Sequence, residues 1–255
     1  MLVQEKPAGI SRKFRRFLLL CGLGVLGLPG IASAATVQYS LADLMPGGSQ
    51  AGGFTLGDKQ YTNFKFSSPT GPRPLTPADV NVRVTSSDAN SAVPGDDRYQ
   101  LQYTFGLDAM PGERHDIVLE YDVAVLNPSM FIDHLGLRFN GAIPSQGVGS
   151  AAASVVERAF YLTGPGGEVI GDAIQMDVYN DGPGRGLADD NSDFIAINPA
   201  RYMRFEKDIT VSSQANGGYA VISVVDNIVD QNVPEPGVVG LAVFAGGGLL
   251  LRRRR

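Results

Sequence analysis

The chain has 255 residues, with 21 Lys and Arg against 26 Asp and Glu, one cysteine and no tryptophan. Residues 1–34 hold five basic and one acidic residue, and residues 233–255 hold four basic and one acidic residue. Residues 35–232 therefore keep 12 basic and 24 acidic residues, a net charge of −12. A surface this acidic repels a phosphate backbone, which argues against nucleic acid as a partner, and it favours solubility outside the cell.

A basic stretch followed by an apolar run begins the chain. Four cations between residues 12 and 16 precede the 12 uncharged residues 17–28. That length suits a secretory signal and is short of the roughly 20 residues needed to span a bilayer. Ala32 and Ala34 then give the small-x-small pattern that signal peptidase requires, so we expect residues 1–34 to be a signal peptide. Cleavage would remove Cys21, leaving no disulfide and no thiol nucleophile.

The middle of the chain, residues 35–232, alternates apolar and polar residues with a period of two. In the segment 98–105, for example, Tyr99, Leu101 and Tyr103 alternate with Gln100 and Gln102, which is typical of a strand with one buried face. The segment 150–160 is compatible with a helix or a strand, and we interpret it as a strand. The predicted strands are 36–41, 60–66, 80–86, 98–105, 116–126, 130–139, 154–163, 168–179, 202–211 and 218–225.

Clusters of Gly, Pro, Asn and Asp separate these segments at short intervals, and no internal repeat of fixed period is present. The pattern predicts an all-β fold, an antiparallel and jelly-roll-like β-sandwich, over residues 35–232. A signal peptide and a short C-terminal hydrophobic helix are expected to flank it. Within the segment 130–139, Asp133 is in phase with the apolar Leu135 and Leu137, which predicts a bulge or bend near Gly136.

Catalytic constellations are hard to find in this sequence. Only two histidines are present, and we expect His115, in a turn entering a strand, to lie on the surface; His134 lies within a strand. The nearest serine motif, around Ser150, lacks the G-x-S-x-G spacing of a nucleophile elbow. Two carboxylates facing each other in a cleft would be required for a glycosidase, and 24 acids leave that pair unselected. The sequence therefore favours a protein that is not an enzyme.

The densest group of oxygen ligands lies in residues 180–194. Asp189, Asn191 and Asp193 reproduce the first three alternating ligands of a calcium loop, but Phe194 replaces the required glycine and Ala200 replaces the bidentate glutamate. The segment is therefore not an EF-hand. We keep two interpretations, a looser calcium site and a solvated acidic loop, and we assign no other cofactor.

The last 23 residues combine a proline-flanked acid, an apolar stretch and a basic end. Residues 237–251 carry no charge, yet as a helix they would cover about 22 Å, less than the ~30 Å hydrocarbon core, and five of them are glycine. A basic cluster after such a stretch is a stop-transfer signal. The motif residues are Val233, Pro234, Glu235 and Pro236, and the basic cluster is Arg252, Arg253, Arg254 and Arg255.

These 23 residues resemble the PEP-CTERM sorting signal of exported bacterial proteins. The resemblance implies that the tail enters the inner membrane transiently and that an exosortase-type enzyme recognises and removes it, after signal peptidase has removed the leader. It also implies export to the cell surface or extracellular matrix of a diderm bacterium. It covers routing only and implies no chemistry for the β domain.

Three functions remain open from the sequence. The leading hypothesis is a non-catalytic β-sandwich exported to the surface or matrix, with a role in structure or adhesion. The alternative is a glycan-binding module of the exopolysaccharide matrix, although the absence of tryptophan weakens it. A carbohydrate-active hydrolase is the third and least favoured hypothesis.

Overall fold

The computed structural model describes residues 36–70, 73–87, 97–145, 149–181 and 190–232. These residues form thirteen strands, one single-turn helix and one 3₁₀ turn. The strands are β1 (Thr36–Ser40), β2 (Phe54–Leu56), β3 (Lys59–Thr70), β4 (Asn81–Ser87), β5 (Asp97–Ala109), β6 (Arg114–Val125), β7 (Phe131–Phe139), β8 (Ala142–Ser145), β9 (Ala151–Leu162), β10 (Val169–Asn180), β11 (Ser192–Ala200), β12 (Tyr202–Ser213) and β13 (Tyr219–Asn232). Helix α1 is Leu41–Leu44, and the 3₁₀ turn is Pro77–Asp79.

The strands form two antiparallel sheets. The seven-stranded sheet has the order β1-β4-β5-β13-β7-β11, with β8 also paired to β13, and the six-stranded sheet has the order β10-β9-β12-β6-β3-β2. Four strands of one sheet, β5-β13-β7-β11, face the four strands β6-β12-β9-β10 of the other, which is the strand order of a jelly roll. The predicted β-sandwich class and its jelly-roll character are therefore confirmed. The predicted terminal segments lie outside the described residues.

All ten strands predicted from alternation are present, including 151–162, where a helix was the other interpretation. Three strands were not predicted. Strands β2 and β8 have only three and four residues, which is too short for a period-two pattern to be recognised. Strand β11 begins within the segment 180–194, which we interpreted as a calcium site or an acidic loop, and continues to Ala200. It was missed because it is an edge strand whose exposed side chains hide the alternation.

The predicted irregularity in β7 is real, but it lies three residues earlier than expected. Pairing of β7 with β13 shifts register between His134 and Ile132, so that Asp133 is the extra residue of a β-bulge. The bulge turns Ile132 into the core, where it is fully buried, together with Leu135 and Leu137. Gly136 continues the regular ladder.

Aromatic side chains line the inner face of the six-stranded sheet. Phe54, Phe64, Tyr121 and Phe205 come from four strands of this sheet, and their rings stack with successive centroid distances of 6.0, 5.8 and 5.1 Å. Tyr103 reaches the same row from the opposite sheet, 6.1 Å from Tyr121. Each of these side chains is buried, and removing an aromatic side chain from water contributes roughly 1.5–3 kcal/mol.

A charged pair interrupts this apolar interior. Lys207 of β12 and Glu157 of β9 lie directly opposite each other in the ladder, both fully buried, and their side chains form an ion pair. Asn227, from the opposite sheet, donates from Nδ2 to Glu157 Oε1 at 2.7 Å, and its carbonyl oxygen accepts from the Tyr121 hydroxyl. Burial raises the pKa of Tyr121 well above its usual value, which keeps that hydroxyl a donor.

Replacing one member of this pair should lower the free energy of unfolding far more than replacing both. We expect Lys207→Met to lower the free energy of unfolding by about 3–5 kcal/mol, because it leaves the Glu157 carboxylate buried without its cation. The double variant Lys207→Met/Glu157→Met should recover most of that loss. Urea denaturation measures both, with Lys65→Met as the control, since its surface pair with Glu120 should contribute about 1 kcal/mol or less. A double variant no more stable than Lys207→Met would contradict this account.

Candidate functional site

The outer face of the seven-stranded sheet carries two neighbouring rows of side chains that strand pairing holds in register. The first row consists of Ser192, Arg138, Asp226, Gln102, Arg83 and Gln38. The second row, two residues along each strand, consists of Phe194, Gly136, Ile228, Gln100, Thr85 and Thr36. Each row crosses β11, β7, β13, β5, β4 and β1. We call the surface formed by these two rows the polar sheet face.

Strand alternation explains why these residues face away from the core. On β5, Leu101 and Tyr103 are buried between the sheets, so Gln100 and Gln102 project from the other side. Arg83 and Thr85 do the same on β4. These four polar side chains line an open groove of about 190 Å³. The groove offers amide, hydroxyl and guanidinium groups, all of which form hydrogen bonds with polar ligands.

An aromatic ring lies across the sheet at one end of the second row. Phe194 of the edge strand β11 is 50% exposed, and its ring rests over Gly136 of β7. A Cβ added at Gly136 would lie 2.5 Å from Phe194 Cε1, so only glycine leaves space for the ring. Ile228, beyond it on β13, faces outward and is nevertheless only 2% exposed. The Arg138 guanidinium carbon lies 4.8 Å from the ring centroid, which is a cation–π distance.

The acids of this sheet face are held by neighbouring donors. Gln102 Nε2 donates to Asp226 Oδ1 at 2.9 Å. Four residues away along β5 and β13, beyond the second row, Arg98 makes a bidentate contact with Asp230, with Nε and Nη2 at 2.9 and 3.0 Å from the two carboxylate oxygens. Such contacts orient the polar groups around the ring before any ligand arrives, which reduces the entropy lost on binding.

A second cavity lies at one end of the sandwich. The turn between β5 and β6 and the ends of β9, β10 and β12 enclose about 260 Å³, with Glu113 and Asp181 among the lining residues. A glycosidase would require one carboxyl that keeps its proton. The Met110 backbone N–H, 3.0 Å away, and the Arg73 guanidinium, at 3.1 Å, hold the pKa of Glu113 below its usual value. Glu113 is therefore suited to staying ionised and not to acting as a general acid.

The expectation that His115 lies on the surface is wrong. β6 begins at Arg114, so His115 is the first inward-facing residue of the strand, in phase with Ile117, and it is 2% exposed. Its Nε2 lies 3.6 Å from Glu113 Oε2. His134 is in β7 as predicted, half exposed, with Nδ1 3.0 Å from Asp133 Oδ1.

The structure describes two of the three predicted calcium ligands, since Asp189 lies outside the described residues. Asn191 directly precedes β11, and its carbonyl oxygen accepts from the Phe139 N–H at 3.2 Å. Asp193 is within β11, and its Oδ2 accepts from the Asp177 N–H at 3.3 Å. Within the described ranges, no three His, Cys, Asp or Glu side chains form a group that could hold a metal ion. A calcium site involving Asp189 stays a prediction.

The processing residues cannot be placed in the fold. The cleavage residues Ala32 and Ala34, the motif 233–236 and the arginines 252–255 all lie outside the described residues. In the part of the chain that the structure covers, no helix has the length and apolarity needed to cross a membrane.

No protein-family model and no curated protein matches the chain. Among solved structures, it is similar to the enzymatically active domain of tailspike protein 4 from bacteriophage CBA120, at 13% identity and TM-score 0.25, over 64% of this chain and 19% of that one. TmCBM61 in complex with β-1,4-galactotriose gives 11% identity and TM-score 0.27, over 73% and 97% of the two chains.

A third solved structure is described as belonging to the carbohydrate-binding modules of the β-sandwich superfamily. It gives 13% identity and TM-score 0.22, over 67% of this chain and 58% of that one. The chain spans about a fifth of the tailspike chain. All three TM-scores lie below 0.5, so none of these similarities supports a function for this chain.

The seating of Phe194 can be tested by a double-mutant cycle with Gly136. Gly136→Ala should destabilise the wild type, because its methyl group displaces the ring, and should cost less in the Phe194→Ala background. We expect a coupling free energy of about 0.5 kcal/mol or more, measured by urea denaturation of the four proteins. Gly106→Ala on β5 is the matched control, since a Cβ there meets nothing within 4 Å. Additive effects would show that the ring does not rest on Gly136.

Proposed function

We propose that this chain is an exported, non-catalytic β-sandwich protein that binds glycan on its polar sheet face. The observation that supports this proposal is the ring of Phe194, exposed and fixed over Gly136, beside two rows of polar side chains in register. A sugar ring has an apolar face of C–H groups and an edge of hydroxyls. An aromatic ring offers a partner to the first, and the amides of Gln100 and Gln102 offer hydrogen bonds to the second.

Several features favour binding without catalysis. The exposed groups of the polar sheet face are a ring, amides, hydroxyls and guanidinium groups, and its carboxylate Asp226 is held by Gln102. The cavity with two carboxylates lies elsewhere, and the pKa of Glu113 there is lowered and not raised. This arrangement favours the glycan-binding alternative over a purely structural role. The platform is a phenylalanine, in a chain that has no tryptophan.

The routing is proposed from the sequence. The signal peptide of residues 1–34 and the tail of residues 233–255 support export, transient insertion of the tail in the inner membrane, and its removal by an exosortase-type enzyme. The glycan would then be an extracellular polysaccharide at the cell surface or in the matrix.

Glycan binding can be measured by affinity electrophoresis and titration calorimetry on the purified protein with a panel of neutral and acidic polysaccharides. We expect Phe194→Ala to weaken binding about tenfold, since losing an aromatic contact costs roughly 1–1.5 kcal/mol. Ile195→Ala is the matched control: Ile195 is the next residue, 37% exposed, on the opposite side of the same strand. Equal affinities for the two variants at similar melting temperatures would reject the assigned face.

Tail removal can be measured by intact mass and C-terminal peptide analysis of the protein from its native cells, with and without the sorting enzyme. We expect mature protein to lack residues 252–255 only when the enzyme is present, because a 15-residue glycine-rich stretch is a poor permanent anchor. Recovery of the four-arginine peptide from surface-exposed mature protein would contradict the processing model.

A further inference from the structure

Two guanidinium groups of the polar sheet face have no acidic partner among the residues that the structure describes. Arg83 on β4 and Arg138 on β7 are exposed, and within the described residues neither contacts a carboxylate within 4 Å. Other arginines on the sheets are neutralised: Arg98 by Asp230, for example, and Arg204 by Asp122. In a domain with 24 acids and only 12 bases, two arginines without an acid partner on one face are available for an external anion.

The acids near these arginines do not neutralise them. Asp226 lies between them in the same row, but its carboxylate accepts from Gln102. Asp230, two residues beyond the second row on β13, is held in the bidentate contact with Arg98. Asp230 is thus neutralised by Arg98, whereas Asp226 keeps its negative charge and accepts a hydrogen bond from Gln102. The guanidinium groups of Arg138 and Arg83 are left to make bidentate contacts with a ligand carboxylate.

The spacing of the two arginines indicates the size of the ligand. Arg138 and Arg83 are joined through Asp226 and Gln102, so three inter-strand steps separate them, about 14 Å at the backbone. A small anion would contact only one of them. A chain that crosses the strands and carries a negative charge at intervals can contact both, and its sugar rings would pass over the Phe194 ring beside Arg138 and the groove beside Arg83.

We therefore infer that the ligand is an acidic polysaccharide, one whose uronate carboxylates bind Arg138 and Arg83 while its rings lie along the polar sheet face. This inference rests on the proposed glycan binding and adds the charge class of the glycan. Two fixed positive charges would select acidic chains against neutral ones even though the domain as a whole is acidic. Salt screens interactions between charges that are more than about 10 Å apart, so the acidic residues elsewhere on the domain act only weakly on a ligand bound at these arginines.

The test compares uronate polymers with their own neutral forms. Alginate, polygalacturonate, hyaluronan and xanthan are each used intact and after reduction of their carboxylates to primary alcohols, so that backbone and linkage stay the same. Titration calorimetry with the purified protein compares the wild type with Arg83→Gln, Arg138→Gln and the control Arg158→Gln. Arg158 lies on the other sheet, is 44% exposed at its side chain and pairs with Glu206. Its replacement by Gln makes the same change in net charge but leaves the polar sheet face intact.

We expect the wild type to bind at least one intact polymer more tightly than its reduced form, and less tightly as sodium chloride is raised. Arg83→Gln and Arg138→Gln should each weaken this binding about three- to tenfold, and Arg158→Gln less than about twofold. If the protein bound intact and reduced polymers with equal affinity, and Phe194→Ala weakened that binding, the inference of an acidic ligand would be overturned while the proposal of glycan binding would stand. Acid binding that neither arginine variant changes would overturn the assigned contacts, and no binding of any polymer would overturn both proposals.

Discussion

The buried pair of Lys207 and Glu157 is the interaction that most constrains this sandwich. Two buried charges that are not hydrated stabilise the fold only if each stays close to the other. Lys207 and Glu157 meet this condition because they are direct partners in the pairing of β12 with β9. A slip of one residue in this pairing would turn one side chain to solvent and leave the other buried alone. Asn227 extends the constraint to the opposite sheet, because its amide donates to Glu157. The pair therefore fixes both a register and the docking of the two sheets.

This interior network also reaches the strand beneath the candidate site. The same Asn227 amide approaches the Gly136 carbonyl oxygen at 3.4 Å, and the opposite side of Gly136 supports the ring of Phe194. The seat of the aromatic ring is thus part of a strand held from within. An aromatic ring on a strand of the sandwich is held in a more precise position than one on a loop. Because the ring is already in place, less entropy is lost when a rigid, extended ligand binds.

The charge of the polar sheet face differs from that of the domain around it. A net charge of −12 would repel an acidic polymer at long range, but the groups that the proposed ligand would contact are Arg138, Arg83 and their neighbouring amides. Arg98 neutralises Asp230, and the two rows then hold two guanidinium groups against the single carboxylate of Asp226, so positive charge is in excess where the ligand would lie. Selectivity for acidic chains would therefore arise locally, and the acidic remainder would disfavour unspecific attachment elsewhere.

The sequence by itself determined ten of the thirteen described strands, the sandwich class and the outward direction of residues such as Gln100 and Arg83, because period-two alternation is local. It also predicts the two terminal signals, which lie outside the described residues and stay a prediction. Only the tertiary structure decided which strands are neighbours. Several strands separate β13 from both β5 and β7 in the sequence, and three strands separate β11 from β7, so their lateral order depends on long-range pairing that no local pattern encodes. That order brings Phe194 over Gly136 and aligns Arg138 with Arg83. The same long-range packing buried His115, whose local sequence indicated a surface turn.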